Sequence, residues 1–140
     1  MLFRSDQASV VLLSGGPGTG KTSTVVEILA RAEARHPGLR IGLAAPTGKA
    51  ARRLGEAVMA QRAPLPCSTL HRWLEAGGRG FGRHRQRPLE LDLLVIDEMS
   101  MLDLALTQAL LEALPSGCRI KQKKMAHRLP SWTTHRKLEM

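Results

Sequence analysis

The sequence predicts an α/β fold in which a parallel sheet is covered by helices on both faces. Three observations point there. Short apolar runs recur at residues 9–13, 40–45 and 91–96. Past Ser9, Arg40 and Asp92 each run is continuously apolar rather than alternating, as a strand buried on both faces must be. Between the runs, apolar residues return at helical spacing, and strands alternating with helices are the mark of parallel βαβ units.

The first run, Ser9-Val10-Val11-Leu12-Leu13, ends at Ser14-Gly15-Gly16. Val25, Val26, Ile28, Leu29 and Ala32 then set a helix to about Arg35, stopped by His36-Pro37-Gly38. A second strand covers Arg40 to Ala45. Pro46-Thr47-Gly48 breaks it, and an alanine-rich helix follows from Lys49 to about Gln61. Pro64 and Pro66 bracket a turn, after which Ser68 is placed to cap a short helix through Glu75. In that helix Leu70, Trp73 and Leu74 fall at core spacing, and Trp73 reads as packing rather than as a base-stacking platform.

Residues 76–88 hold four glycines and four arginines with no period, and read as a loop. Arg79, Arg83, Arg85 and Arg87, with Phe81 and His84 between them, suit either a flexible basic loop or a grip on a phosphate backbone. The third strand, Leu91 to Ile96, delivers Asp97-Glu98. Asp103 caps a helix carrying Leu104, Leu106, Leu110, Leu111 and Leu114, which Pro115-Ser116-Gly117 ends. A fourth strand starts at Cys118-Arg119-Ile120, but Lys121-Gln122-Lys123-Lys124 replaces its centre. Lysines without partners do not occupy a central strand. The expectation is a sheet truncated at about the fourth strand, with residues 121–140 exposed and disordered.

One hundred and forty residues suit one domain, and 43% hydrophobic content supports a packed core. The net charge of +9 favours a polyanionic partner, yet residues 119–140 alone contribute +6 of it. Cys67 and Cys118 have no C-x-x-C spacing, which excludes a disulfide framework and a cysteine zinc site and fits a reducing cytoplasm. No apolar run reaches the ~18 residues of a membrane span, and no signal-peptide order opens the chain. A soluble cytoplasmic protein without a membrane partner is expected.

Gly15-Gly16-Pro17-Gly18-Thr19-Gly20-Lys21-Thr22 matches G-x-x-x-x-G-K-[ST] in full, after a strand and opening a helix. Glycines there let backbone N–H groups curl around phosphate oxygens, and the helix N-terminus adds partial positive charge. Lys21 is expected to reach the β- and γ-phosphates of ATP, and the Thr22 hydroxyl to bind Mg²⁺. The strand at Leu93-Leu94-Val95-Ile96 brings Asp97 and Glu98 to the same sheet edge, where open α/β sheets bind ligands. Asp97 would hold the Mg²⁺ hydration shell, and Glu98 would orient the attacking water. Two adjacent carboxylates favour hydrolysis over binding alone.

Four segments occur in a telling order: the phosphate loop, Ala44-Ala45-Pro46-Thr47-Gly48-Lys49-Ala50-Ala51, Ser68-Thr69-Leu70-His71-Arg72, and Val95-Ile96-Asp97-Glu98-Met99-Ser100-Met101. Together they resemble the first motor domain of RecD-like superfamily 1 DNA helicases, the family of the exodeoxyribonuclease V alpha subunit. The resemblance covers about residues 9–120. It implies a RecA-like P-loop NTPase domain that couples ATP hydrolysis to 5′-to-3′ movement on single-stranded DNA, in recombination and repair. It further implies DNA contacts from Thr47, Gly48 and Lys49, and from Thr69, His71 and Arg72. By residue chemistry alone, Thr47 serves equally as a helix cap and Lys49, His71 and Arg72 as solvated surface. Other subunits of a helicase–nuclease complex are implied as partners.

The chain departs from the family pattern in places. Where the family has Gly-Asp-x-x-Gln, Lys124-Met125-Ala126-His127-Arg128 stands, followed by Leu129-Pro130-Ser131. The organisation expected is an N-terminal remnant at 1–8, a partial P-loop ATPase at 9–120, and a basic, disordered or frameshifted tail at 121–140. A family helicase holds ATP between two motor domains, so this chain is expected not to unwind duplex alone. Two other readings stay open: a non-catalytic nucleotide- or nucleic-acid-binding fragment, and an unrelated P-loop ATPase.

Overall fold

A computed structural model describes residues 9–15, 21–98, 102–124 and 131–136, with residues 123–124 and 131–136 described by backbone alone. The expectations for residues 1–8, 16–20, 99–101, 125–130 and 137–140 lie outside it. In chain order the elements are β1 (Ser9–Ser14), α1 (Lys21–Arg35), β2 (Ile41–Ala45), α2 (Gly48–Met59), β3 (Cys67–Thr69) and α3 (Leu70–Trp73). There follow β4 (Ala76–Gly77), β5 (Gly80–Phe81), β6 (Leu93–Ile96), α4 (Leu104–Ala113), β7 (Arg119–Lys124) and β8 (Ser131–Arg136).

The main sheet runs β3-β2-β6-β1-β7-β8, with β8 antiparallel on β7 and the other five strands parallel. The middle of β1 and all of β2 and β6 are buried, as unbroken apolar runs require. One face carries Val11, Leu13, Leu43, Leu93 and Val95 under Val25 and Leu29 of α1 and Leu54 and Val58 of α2. The other carries Val10, Leu12, Ala44, Leu94 and Ile96 under Leu70 and Leu74 and under Leu106, Ala109, Leu110 and Ala113 of α4. β1 therefore hands the chain to one face and its neighbour β6 hands it to the other. A crevice at such a switch point is where α/β sheets take ligands.

The helix signals act as their residues suggest. Thr47 caps α2, its Oγ1 accepting from the Ala50 amide at 3.1 Å. Asp103 caps α4, its Oδ1 accepting from the Leu106 amide at 2.6 Å. Gly38, at φ +84°, takes the left-handed turn that follows α1. Of the leucines that the helix carries, Leu104 and Leu111 face outward, Leu104 being 83% exposed. The buried stripe of that helix runs through Leu106, Ala109, Leu110 and Ala113.

Three expectations are corrected. Ser68 is not a helix cap: Cys67-Ser68-Thr69 forms the edge strand β3, paired with Leu43-Ala44-Ala45 of β2. The cap is Thr69, whose Oγ1 accepts from the Arg72 amide at 3.2 Å. Residues 76–88 are not a partnerless loop. β4 and β5 form a small hairpin, and His84 bridges Arg87. Glu75, in left-handed conformation at φ +54°, holds it from below. Its carboxylate binds Arg83 Nε at 2.6 Å and Arg87 Nη1 at 2.8 Å, while Gly82 N–H donates to its carbonyl at 3.0 Å.

The third correction concerns the fourth expected strand. β7 does not stop at Ile120 but continues through Lys124, paired with β1 from Ser9↔Arg119 to Ser14↔Lys124, and β8 then closes on it. The open edge of β1 is satisfied by backbone hydrogen bonding whatever side chains the partner carries. Lys121, half-buried, can lay its aliphatic stem along the sheet and keep its ammonium in water.

Gly42 of β2 makes room for a helix residue. A Cβ there would stand 2.7 Å from Trp73 Cζ2 and 2.8 Å from Leu91 Cδ1. Trp73 lies over the strand, and its indole N–H donates to the Leu43 carbonyl at 2.8 Å. Gly42→Ala is therefore expected to lower unfolding free energy by about 1–3 kcal/mol, the usual penalty for overpacking, as read from urea midpoints. In the hairpin, Glu75→Gln is expected to speed hydrogen exchange at the Gly82 and Arg83 amides while leaving the β1 and β6 amides at wild-type rates. The Arg87 hydrogen bond, opposed by partial burial and reinforced by Arg83, holds the Glu75 carboxyl below its ordinary range. The same loosening should thus appear in the wild type only as pH falls below that range, through the depressed value.

Candidate nucleotide site at the carboxyl edge of the sheet

The sites expected along the chain converge because their strands are parallel neighbours. β1 ends at Ser14 and Gly15, and β6 ends at Asp97 and Glu98. β2 ends just before Thr47-Gly48-Lys49, and β3 ends at Thr69, just before His71 and Arg72. All four ends lie on one edge, in the order β3, β2, β6, β1. Strand spacing of about 4.8 Å puts roughly 14 Å between the outer two.

Lys21 opens α1 and meets the acids of β6. Its Nζ is 3.1 Å from Asp97 Oδ1 and also pairs with Glu98 Oε1. The three side chains are 15%, 14% and 29% exposed, so the cluster is shielded but reachable. Asp97 is fixed by its backbone, its N–H donating to the Ala44 carbonyl of β2 at 2.9 Å. Its Oδ1 also accepts from the Glu98 amide at 2.9 Å. Glu98 stands at φ +61°, a left-handed conformation unusual for a residue with a Cβ. Burial pulls the Lys21 ammonium down, but hydrogen bonds and charge from Glu98 and Asp97 more than offset it, and the net shift is upward.

Lys21 is thus brought to the acid pair, with Gly15 just after β1 and Thr22 next to Lys21 in the first turn of α1, while Gly16, Pro17, Gly18, Thr19 and Gly20 lie outside the described residues. Thr47, Gly48, Lys49, His71 and Arg72 are exposed at the β2–β3 end of the edge. Thr47 and Thr69 spend their hydroxyls on helix caps. Lys49 and Arg72, with Arg52 and Arg53 of α2, have no carboxylate within ion-pair reach among the described residues. Arg52 and Arg53 continue the segment that begins at Ala44 and receive no role from the sequence, although they follow Lys49 at three- and four-residue spacing and are exposed.

The donor set suits a hard divalent cation. A hydroxyl and a carboxylate, with nucleotide oxygens and water to complete an octahedron, are what Mg²⁺ takes in phosphate sites. Among the described residues no group of three His, Cys, Asp or Glu side chains gathers to hold a metal, here or elsewhere. Cys67, beside β2, is no ligand. Burial first, and the Asp97 charge in addition, push its thiol up against the opposing pull of Gly55, while Sγ donates to the Ala51 carbonyl at 2.8 Å.

A buried parallel sheet whose first strand leads to a lysine-capped phosphate loop, and whose neighbouring strand ends in paired acids, defines a RecA-like P-loop nucleotide-binding domain. Residues 3–121 match the AAA domain family, and the chain belongs to that family. Within it the chain is similar to RecD-type helicases. It is 49% identical over 111 residues to the ATP-dependent RecD2 DNA helicase of Deinococcus radiodurans. It is 46% identical over 128 residues to the RecBCD enzyme subunit RecD of Mycobacterium tuberculosis, and 38% identical to that of Haemophilus influenzae. These matches take in 78–79% of the chain but only 14%, 22% and 20% of the respective relatives. No helix among the described residues is long and apolar enough to cross a membrane.

The Lys21 pairing yields a pH signature. Its folded pKa lies above the unfolded value of about 10.4, so its contribution to stability is complete below that pH. The contribution is lost as pH rises through the raised value. Lys21→Met, which leaves two adjacent carboxylates without their cation, is expected to lower stability at pH 8 by about 1–2 kcal/mol, less than a fully buried pair would lose. In urea titrations the gap between variant and wild type should close as pH rises through that raised value.

Proposed function

We propose that this chain binds and hydrolyses Mg·ATP as a motor domain of a RecD-like DNA helicase. The observation that carries the reading is the meeting of Lys21, Asp97 and Glu98 at one sheet edge, with the Thr47–Lys49 and Thr69–Arg72 segments further along it. Lys21 would leave the acids for the β- and γ-phosphates, and Thr22 and Asp97 would hold the metal. The metal, when bound, neutralises charge on the phosphate oxygens. Released from Lys21, the Glu98 carboxylate is free to orient a water for attack.

Thr47, Gly48 and Lys49, and Thr69, His71 and Arg72, would contact single-stranded DNA. The cations of α2 and α3 that meet no carboxylate among the described residues support this, because phosphate contacts supply most sequence-independent affinity. Support for the DNA role also comes from the names of the relatives, which are DNA helicases or RecBCD subunits. In the intact protein, domain closure on ATP would drive 5′-to-3′ translocation and unwinding, alongside the other subunits of a helicase–nuclease complex.

Lys21→Ala is expected to abolish binding of a fluorescent ATP analogue and all ATP turnover. Glu98→Gln should retain analogue binding while losing turnover by about 10²–10⁴-fold, the usual worth of a positioned base. A wild-type chain that binds no analogue would sink the proposal.

A further inference from the structure

We propose that Trp73 is a positioning residue that couples a polyanion held on the outer face of α3 to the Lys21–Asp97–Glu98 cluster. The inference rests on the reading of the two sites given above. What it adds is the residue that carries the connection between them.

Trp73 shares its four-residue helix with His71 and Arg72, which point outward while Trp73 is turned onto the sheet. The indole meets β2 in two ways. Its ring fills the place a Cβ of residue 42 would take, 2.7 Å and 2.9 Å from Cζ2 and Cη2. Its N–H holds the Leu43 carbonyl at 2.8 Å. The residue after Leu43 is Ala44, whose carbonyl anchors the Asp97 amide. Only one backbone step thus separates the strand position that α3 grips from the one that fixes the metal-site acid.

The slot over Gly42 has a second occupant. Leu91 Cδ1 lies 2.8 Å from the same point, and Leu91 belongs to the segment entering β6, the strand that carries Asp97 and Glu98. A shift of the indole toward the sheet would press on β2, on Leu91 or on both, because the two side chains share the space over Gly42. The edge pairing supplies a parallel connection, with Ser68↔Ala44 and Thr69↔Ala45 tying the start of α3 to the same end of β2. At the far end stands Glu98, in a left-handed conformation that a small movement of Asp97 can release.

The test measures nucleotide affinity of the 140-residue chain with and without saturating oligo(dT), using polarisation of a labelled ATP analogue in Mg²⁺. In the wild type the oligonucleotide is expected to change nucleotide Kd by about 5-fold or more, the lower range of site-to-site coupling. Trp73→Phe, which keeps an aromatic ring but loses the N–H donor, should bring that ratio within about twofold of one. Its affinity for each ligand alone should stay near wild type, while its thermal midpoint falls with the lost packing and the lost N–H donor. A purely structural role would lower the midpoint but spare the ratio.

A benzothienylalanine at position 73, the same bicyclic shape with sulfur for N–H, gives the same readout should Phe fill the slot too poorly for folding. An undiminished ratio in both variants overturns the proposal. So does a wild-type chain that binds the two ligands independently. Failure of the wild type to bind the analogue at all is a different result, and removes the nucleotide site itself.

Discussion

Parallel pairing of β1 with β6, from Ser9↔Leu93 to Leu12↔Ile96, is the constraint on which the rest of the molecule depends. Parallel strands end at the same edge, so the chain leaving β1 and the acids closing β6 are delivered side by side. Both strands are apolar on both faces, so each face must be covered, and the connections supply the cover. α1 and α2 close one side, and α3 and α4 close the other. The hydrogen bond from Asp97 to Ala44 extends the arrangement to β2, and through it to β3.

What was legible in the sequence follows from the range of the signal. The three buried strands, the caps at Thr47 and Asp103 and the acid pair after Ile96 are local statements, and local chemistry settles them. β3 is three residues at an edge, too short for a period of two to declare itself, and it exists because β2 has a side to fill. The hairpin at 76–81 was hidden because its organiser, Glu75, lies outside the glycine–arginine stretch and acts through a left-handed backbone. β7 reads as polar side chains, while the bonds that make it a strand belong to its backbone and to β1. The core role of Trp73 could be read from its spacing. The slot over Gly42 could not, because it depends on residues some 30 and 50 positions apart meeting at one point.

Charge and core are kept apart. Among the described residues no polar or charged side chain is buried, and every buried side chain is apolar. The ion pairs sit at the margins: Lys21 with the acids at the carboxyl edge, Arg40 with Asp92 at the opposite edge, and Glu75 beneath its hairpin. Interactions at such positions can be exchanged for others without desolvating a charge afresh. That suits the proposed role of Lys21, which would exchange its carboxylate partners for phosphate oxygens.

The left-handed backbone at Glu98 has an implication for laboratory evolution. Glycine or asparagine takes that conformation more easily, and a residue held there against preference typically costs about 1–3 kcal/mol. A selection for thermal tolerance alone would therefore be drawn to position 98 and would trade away its carboxylate. Given the role proposed for Glu98, libraries built to harden this domain should hold that codon fixed, since the gradients for endurance and for that chemistry would point in opposite directions.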